Sequence, residues 1–213
     1  MVFSVWLSNL TSYSNEGKAK QILLSLPATE NEIKVALNKI VVGKGDEYFT
    51  PDFDSPYILS LRKYLSIYEN INDLNLFAYR LDSLDADKLC LFENVIEYDG
   101  SHNISELINT TYNMHRYELI LGAATEADVA THFVTEQAYL DIPERLKRLM
   151  DYETIGEQLC NNLGGSFTVD GYTYKKDDDI KIVYNKRNTM ELIVAERLTH
   201  QSLEEPAFCQ ILN

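Results

Sequence analysis

The sequence predicts an α+β protein, helix-rich and acidic through its middle and richer in strands toward its C-terminal part. Three observations carry that reading. Runs of strand composition open the chain and return with period two after Gly164-Gly165. Between them apolar residues recur at helical spacing, and capping residues, glycine and proline mark the boundaries.

Val2 to Leu7 has strand composition, and Lys20 to Leu26 supplies a partner after the polar turn Tyr13 to Gly17; Pro27 ends that run. Thr29 and Glu32 have capping-box spacing, in which hydroxyl and carboxylate each satisfy a free backbone N–H at a helix start. Ile33, Ala36, Leu37 and Ile40 follow at helical spacing, and Gly43 closes the helix. Leu74, Phe77, Ala78, Leu81 and Leu84 form the next stripe, and Asp85 is placed to cap a helix carrying Leu89, Phe92 and Ile96. Asn103 to Ile108 reads as a short helix and Tyr117 to Leu121 as a strand. Thr125 with Asp128 starts a helix toward Tyr139, and Pro143 suits the first turn of another. Phe167 to Val169 and Tyr172 to Tyr174, joined by Asp170-Gly171, have the signature of a hairpin with a tight turn. Lys181 to Tyr184 and Met190 to Ala195 are expected to form a second strand pair around Asn185 to Asn188. The chain divides accordingly into an α+β part (1–57), a helical part (58–114), a C-terminal domain (115–174) and a β-rich extension (175–213).

A chain of 213 residues, 45% apolar and 24% charged, has the composition of a folded protein, with length for one core or two to three small ones. No stretch approaches the roughly 18 uncharged apolar residues that span a bilayer, and Met1 to Leu10 lacks the basic leader of a signal peptide. Cys90, Cys160 and Cys209 are far apart and odd in number, which points to free, mostly buried thiols in a reducing cytoplasm.

Charge is the informative feature. The chain holds 33 acidic and 19 basic residues, a net of −14. Residues 44–100 carry 12 acids and 5 bases, and residues 101–160 carry 10 and 4, so −13 of the −14 lies in the middle. Such a field repels nucleic acid and anionic membranes and attracts basic protein surfaces. The basic concentrations, Arg145 to Arg148 and Lys175-Lys176, are flanked by acids and suit helix-end or ion-pair roles.

Motifs for chemistry are missing. His102, His115, His132 and His200 stand apart from one another and from cysteine, outside any metal-ligand spacing. Gly43 to Asp46 lacks the spacing of a phosphate loop, and Asp177-Asp178-Asp179 lacks the alternation of a calcium loop and reads as a solvated turn. No cofactor, metal or catalytic residue is therefore expected, and no carboxylate pair is singled out for acid–base work.

Several local patterns together resemble the ArdA antirestriction family. They are Val5-Trp6-Leu7-Ser8-Asn9-Leu10, then Tyr13 and Asn15-Glu16-Gly17 with Ser14 interposed; Leu26-Pro27; Asp46-Glu47-Tyr48; and Asp52-Phe53-Asp54. Asp73-Leu74-Asn75-Leu76-Phe77-Ala78 and Ile108-Asn109-Thr110-Thr111-Tyr112-Asn113 with Tyr117 follow in the family's order. The longest match is Asp151-Tyr152-Glu153, Gly156, Gly164-Gly165, Phe167-Thr168 and Gly171-Tyr172, with Ile155 where the family carries tyrosine. The resemblance covers about residues 2–174.

It implies a non-enzymatic, elongated, three-domained and dimeric DNA mimic that inhibits type I restriction–modification enzymes. Two chains at −14 each would carry −28, comparable to about 48 Å of duplex, or roughly 14 base pairs. The implied mimic surface is collective: Asp46, Glu47, Asp52, Asp54, Glu69, Asp73, Asp82, Asp85, Asp87, Glu93, Glu97 and Asp99, with Glu106, Glu118, Glu126, Asp128, Glu136, Asp151, Glu153 and Glu157. Asp85 and Asp128 double as candidate helix caps, and Tyr48, Tyr112, Tyr152 and Phe167 are assigned to the core. The implied partner is the basic DNA-binding surface of a restriction–modification complex, with no nucleic acid or membrane bound directly. Rival readings are a mimic aimed at a CRISPR effector or repressor, a generic acidic interaction module, and a hydrolase built on a carboxylate pair.

Overall fold

A computed structural model describes residues 2–17, 19–40, 45–55, 61–100, 103–136 and 142–204. In chain order the elements are β1 (Phe3–Asn9), α1 (Leu10–Glu16), β2 (Gln21–Leu26), α2 (Glu30–Ile40), β3 (Tyr48–Asp54), α3 (Leu61–Tyr64), α4 (Ile71–Asp82), α5 (Ala86–Asp99) and α6 (Ile104–Tyr112). After a 3-10 turn (Met114–Arg116) come β4 (Tyr117–Leu121), α7 (Glu126–Thr131), a π-helical turn (His132–Glu136), α8 (Glu144–Lys147), α9 (Tyr152–Leu163), β5 (Ser166–Phe167), β6 (Gly171–Lys175) and α10 (Thr189–Glu204). The mixed class is as the sequence predicts. The chain forms two compact units: Met1–Asp85 with Ser101–Thr111 and Ile182–Asn213, and Ala86–Gly100 with Tyr112–Lys181.

The first unit is built on an antiparallel sheet of order β2-β1-β3. Alternation sends Phe3, Val5 and Leu7 to one face, where they are buried with Leu24 and Leu26. Ile33, Ala36 and Ile40 of α2 and the apolar residues of α4 complete that core, with the Phe3 and Phe77 rings 6.0 Å apart. The Thr29–Glu32 capping box forms as its spacing predicts: the Thr29 amide donates to Glu32 Oε2 at 2.7 Å, and the Glu32 amide to Thr29 Oγ1 at 3.3 Å. The segment Tyr13 to Gly17 is a correction. It belongs to α1, which the Asn9 side chain caps and which Gly17 ends at φ +65°, so a short helix stands where a turn is expected.

A larger correction concerns the chain after Lys175. Met190 to Ala195 is helical, part of α10, which packs on α4. Thr189, Ile193 and Glu196 are buried at near-helical intervals. Thr189 Oγ1 donates to Asp73 Oδ1 at 2.8 Å, and Arg80 Nη1 contacts both Glu196 oxygens at 3.1 Å. These partners override the strand preference of the Leu192-Ile193-Val194 run. Lys181 to Tyr184 forms no strand either. Asn113 Oδ1 accepts from the Lys181 amide at 3.0 Å, while Asn109 Oδ1 accepts from Val183 and Tyr184 at 2.9 Å. Two asparagine side chains thus satisfy the backbone that a neighbouring strand would otherwise serve.

The second unit carries the antiparallel sheet β4-β6-β5. Ile120, Val129, Tyr172 and Tyr174 centre its core, with Phe133, Leu159 and Leu163 packed around them. The hairpin expected at Phe167 to Tyr174 is present, but its glycine acts differently. Gly171 is the first residue of β6, where a Cβ would lie 2.1 Å from the Ile120 carbonyl oxygen. Its requirement is strand contact, not a left-handed turn. Cys90 and Cys160 are half-buried rather than buried; Cys209, Gly43 and Tyr139 lie outside the described residues.

Glu196→Ala should remove the carboxylate that neutralises the Arg80 guanidinium, itself only 16% accessible, and cost about 3 kcal/mol of unfolding free energy. Urea unfolding of the two proteins measures it. A loss below about 1 kcal/mol would show that α10 does not brace α4 through this pair.

Candidate functional site

The acids of the first unit lie mainly along β3 and around α4. Strand alternation and pairing put Asp52 opposite Trp6 and Asp54 opposite Ser4 on the sheet's outer face. Asp54 and Glu47 are exposed, and Asp46 is held by Asn9 Nδ2 at 3.0 Å. Asp82, Asp85 and Glu106 are also exposed, Asp85 immediately before α5. Two residues depart from the expected surface set. Asp73 is buried and bonded to Thr189, so it is an interior structural residue. Glu69 is half-buried, and burial pushes its carboxyl above the usual carboxylate range despite the Ser66 amide that donates to it.

In the second unit the acids concentrate on α5, α7 and α9. Asp87 and Glu97 are exposed on α5 and Glu93 is half-buried. Glu126 and Asp128 are exposed in the first turn of α7. Asp151, Glu153 and Glu157 are exposed at and near the start of α9. The two helices meet at Gly156, where a Cβ would lie 1.9 Å from the Glu126 carbonyl oxygen. Only glycine permits that approach, and it sets Glu153 and Glu157 beside the acidic first turn of α7.

Hydrogen bonds hold several of these charges in place. Asp128 Oδ2 accepts from the Thr125 hydroxyl at 2.8 Å and from the Thr125 and Ala124 amides at 2.9 and 3.0 Å, completing the expected capping box. The Thr125 hydroxyl, then those amides, hold its carboxyl below the usual range. Asp151 caps α9, accepting from the Thr154 amide at 3.1 Å and hydroxyl at 2.9 Å, and the same donors lower its pKa. In the first unit, Glu106 and Asn103 exchange reciprocal bonds at the start of α6.

Two more expected members are compensated. Asp99 accepts from the Tyr117 hydroxyl and pairs with Lys175 Nζ at 2.8 Å, leaving its side chain 21% accessible; Glu118 lies 3.4 Å from Lys176. They belong less to an acidic surface than to the packing around β4. The Glu136 side chain lies outside the described residues. Of the aromatics assigned to the core, Tyr48, Tyr112 and Tyr152 are half-buried, whereas Phe167 is exposed. Glu30, exposed and paired with Lys34, and Trp6, the outward residue of β1, carry no assignment from the sequence, whereas the ion-pair role expected for Arg145 to Arg148 is met by Lys147 with Glu144. The i,i+4 and i,i+3 spacings and the strand alternation are the signals that mark them.

Among the described residues no group of three or more His, Cys, Asp or Glu is arranged to hold a metal ion, and no helix is long and apolar enough to cross a membrane. What the arrangement offers is fixed negative charge. A family model described as Antirestriction protein (ArdA) matches residues 5–174. The chain belongs to the ArdA family. Among individually curated proteins none matches it. The ArdA match contains the Gly156 contact, the Asp128 and Asp151 caps and the asparagines Asn109 and Asn113, and it ends before the backbone they hold at 181–184 and before α10.

The pKa directions predict a pH dependence. The Asp128 carboxyl titrates lower in the folded ArdA chain than in the unfolded one, so its contribution is complete above the ordinary carboxylate pKa. That contribution is lost as pH falls through the folded value. Asp128→Asn should therefore melt below the parent at neutral pH, with the gap closing under strongly acidic conditions. Melting curves across pH check this; a gap independent of pH would contradict it.

Proposed function

We propose that this ArdA protein inhibits type I restriction–modification enzymes without catalysis, as a homodimer whose carboxylates occupy the channel that otherwise holds duplex DNA. The observation that carries the reading is the set of acids anchored at helix starts and brought together at the Gly156 contact. A phosphate backbone presents charges at fixed intervals, and a basic channel is preorganised for them. Carboxylates on rigid helices imitate that spacing better than a flexible acidic tail, whose charges spread apart. Family membership supports the antirestriction role, and the net charge of −14 supports a basic partner.

The chemistry of such a surface is association rather than reaction. Long-range attraction speeds encounter, and exposed pairs each contribute only about 0.2–1 kcal/mol, so affinity is spread over many residues. Neutralising one exposed acid should weaken inhibition less than about fivefold, while Glu126→Gln, Glu153→Gln and Glu157→Gln together should weaken it more than about tenfold.

The test is cleavage by a purified type I enzyme titrated with folded protein at low and moderate salt, with heat-unfolded protein as control. Stoichiometric inhibition that weakens with salt is the expected result. Absence of inhibition by folded protein at low salt would remove type I enzymes as the target.

A further inference from the structure

We propose that the outer face of the N-terminal sheet, with Trp6 at its centre and Asp52 and Asp54 beside it, docks an arginine-bearing segment of the basic partner protein. The inference rests on the reading of this protein as a ligand for a basic surface, and names one anchor within it. The face is specified by register. Trp6 lies opposite Leu23 on β2 and Asp52 on β3, while Ser4 lies opposite Ser25 and Asp54. Directly paired residues share a face, so an indole and a leucine are bordered by two carboxylates on the β3 side.

This face is only partly covered. At one end α1 lies over it: the Tyr13 ring is 5.5 Å from Phe49, Phe49 is buried, and Ser8 is fully buried opposite it. Beyond that cover Trp6 remains 38% exposed and Leu23 45%. Every other residue of β1 is buried. Trp6 is thus the point at which the strand presents a large apolar side chain outward, and tryptophan is among the residues that most often dominate binding energy at protein interfaces.

Charge complementarity identifies the occupant. Arginine pairs with carboxylates through a planar fork and stacks on aromatic faces, so an indole beside two aspartates suits it better than lysine. The fold already carries one example: Arg62 Nη1 lies 3.5 Å from Asp52 Oδ1, with both side chains at least half exposed. A solvent-exposed pair of that kind contributes little and is readily exchanged for a partner's guanidinium.

Trp6 is the only tryptophan in the chain, so intrinsic fluorescence reports on this face alone. The full chain is titrated at low salt with labelled hexa-arginine or hexalysine peptide, following peptide anisotropy and, with unlabelled peptide, Trp6 emission. The expected result is that hexa-arginine changes Trp6 emission and shields it from acrylamide at the midpoint seen by anisotropy, and that hexalysine binds more weakly with a smaller change. Trp6→Ala should weaken hexa-arginine binding about tenfold and Trp6→Phe less. The Asp52→Asn, Asp54→Asn double variant should weaken it about fivefold, and it keeps the test open should Trp6→Ala misfold. Hexa-arginine binding with unchanged Trp6 emission and quenching would overturn the proposal while leaving the acidic reading intact. No binding of either peptide would overturn both.

Discussion

A carboxylate that accepts hydrogen bonds from the free amides of a helix start is the interaction on which this acidic architecture depends. Like charges repel, and a chain of net −14 is stable only if something fixes them where repulsion is tolerable. At α2, α7 and α9 one bond set does two tasks, satisfying orphan backbone donors and immobilising a negative charge. The helix N-terminus favours an anion there, so these acids remain ionised where an uncompensated cluster would take up protons. Rigidity and charge come from the same few atoms.

Packing decides which charges remain available. Gly156 lets α9 approach α7 closely enough to group their exposed acids, whereas Lys175 and Lys176, at and just beyond the end of β6, compensate Asp99 and Glu118. Asp73 serves a different purpose, joining α4 to α10 through Thr189. The number of acids in the chain therefore overstates its exposed acidic surface. Its extent is set by which carboxylates face water.

Local chemistry was legible in the sequence where the governing residues lie within four positions. The Thr29–Glu32 and Thr125–Asp128 boxes, strand β4 and the hairpin after Gly164 could be read because caps and alternation act at short range, whereas the contact that requires Gly171 is made with Ile120 on the neighbouring strand. Helix α10 could not: its Leu192-Ile193-Val194 run favours strand, and the contacts that make it helical come from Asp73 and Arg80, both 116 residues away. The extended segment at 181–184 misled for a similar reason, being held by Asn109 and Asn113 instead of a strand. At the site, the identity of the acids was legible but their exposure was not. Asp99 meets Tyr117 and Lys175 only through the fold, and Asp73 is submerged by a helix beyond the ArdA-matched span.

Fixed carboxylates that take the place of DNA phosphates must compete with duplex at equilibrium. A labelled duplex bound to a purified type I enzyme is displaced by increasing protein, followed by anisotropy over a range of salt. Mimicry predicts complete displacement, an apparent affinity that falls in proportion to added duplex, and salt sensitivity similar to that of the duplex. Formation of a ternary complex with DNA still bound, or displacement unaffected by salt, would contradict it.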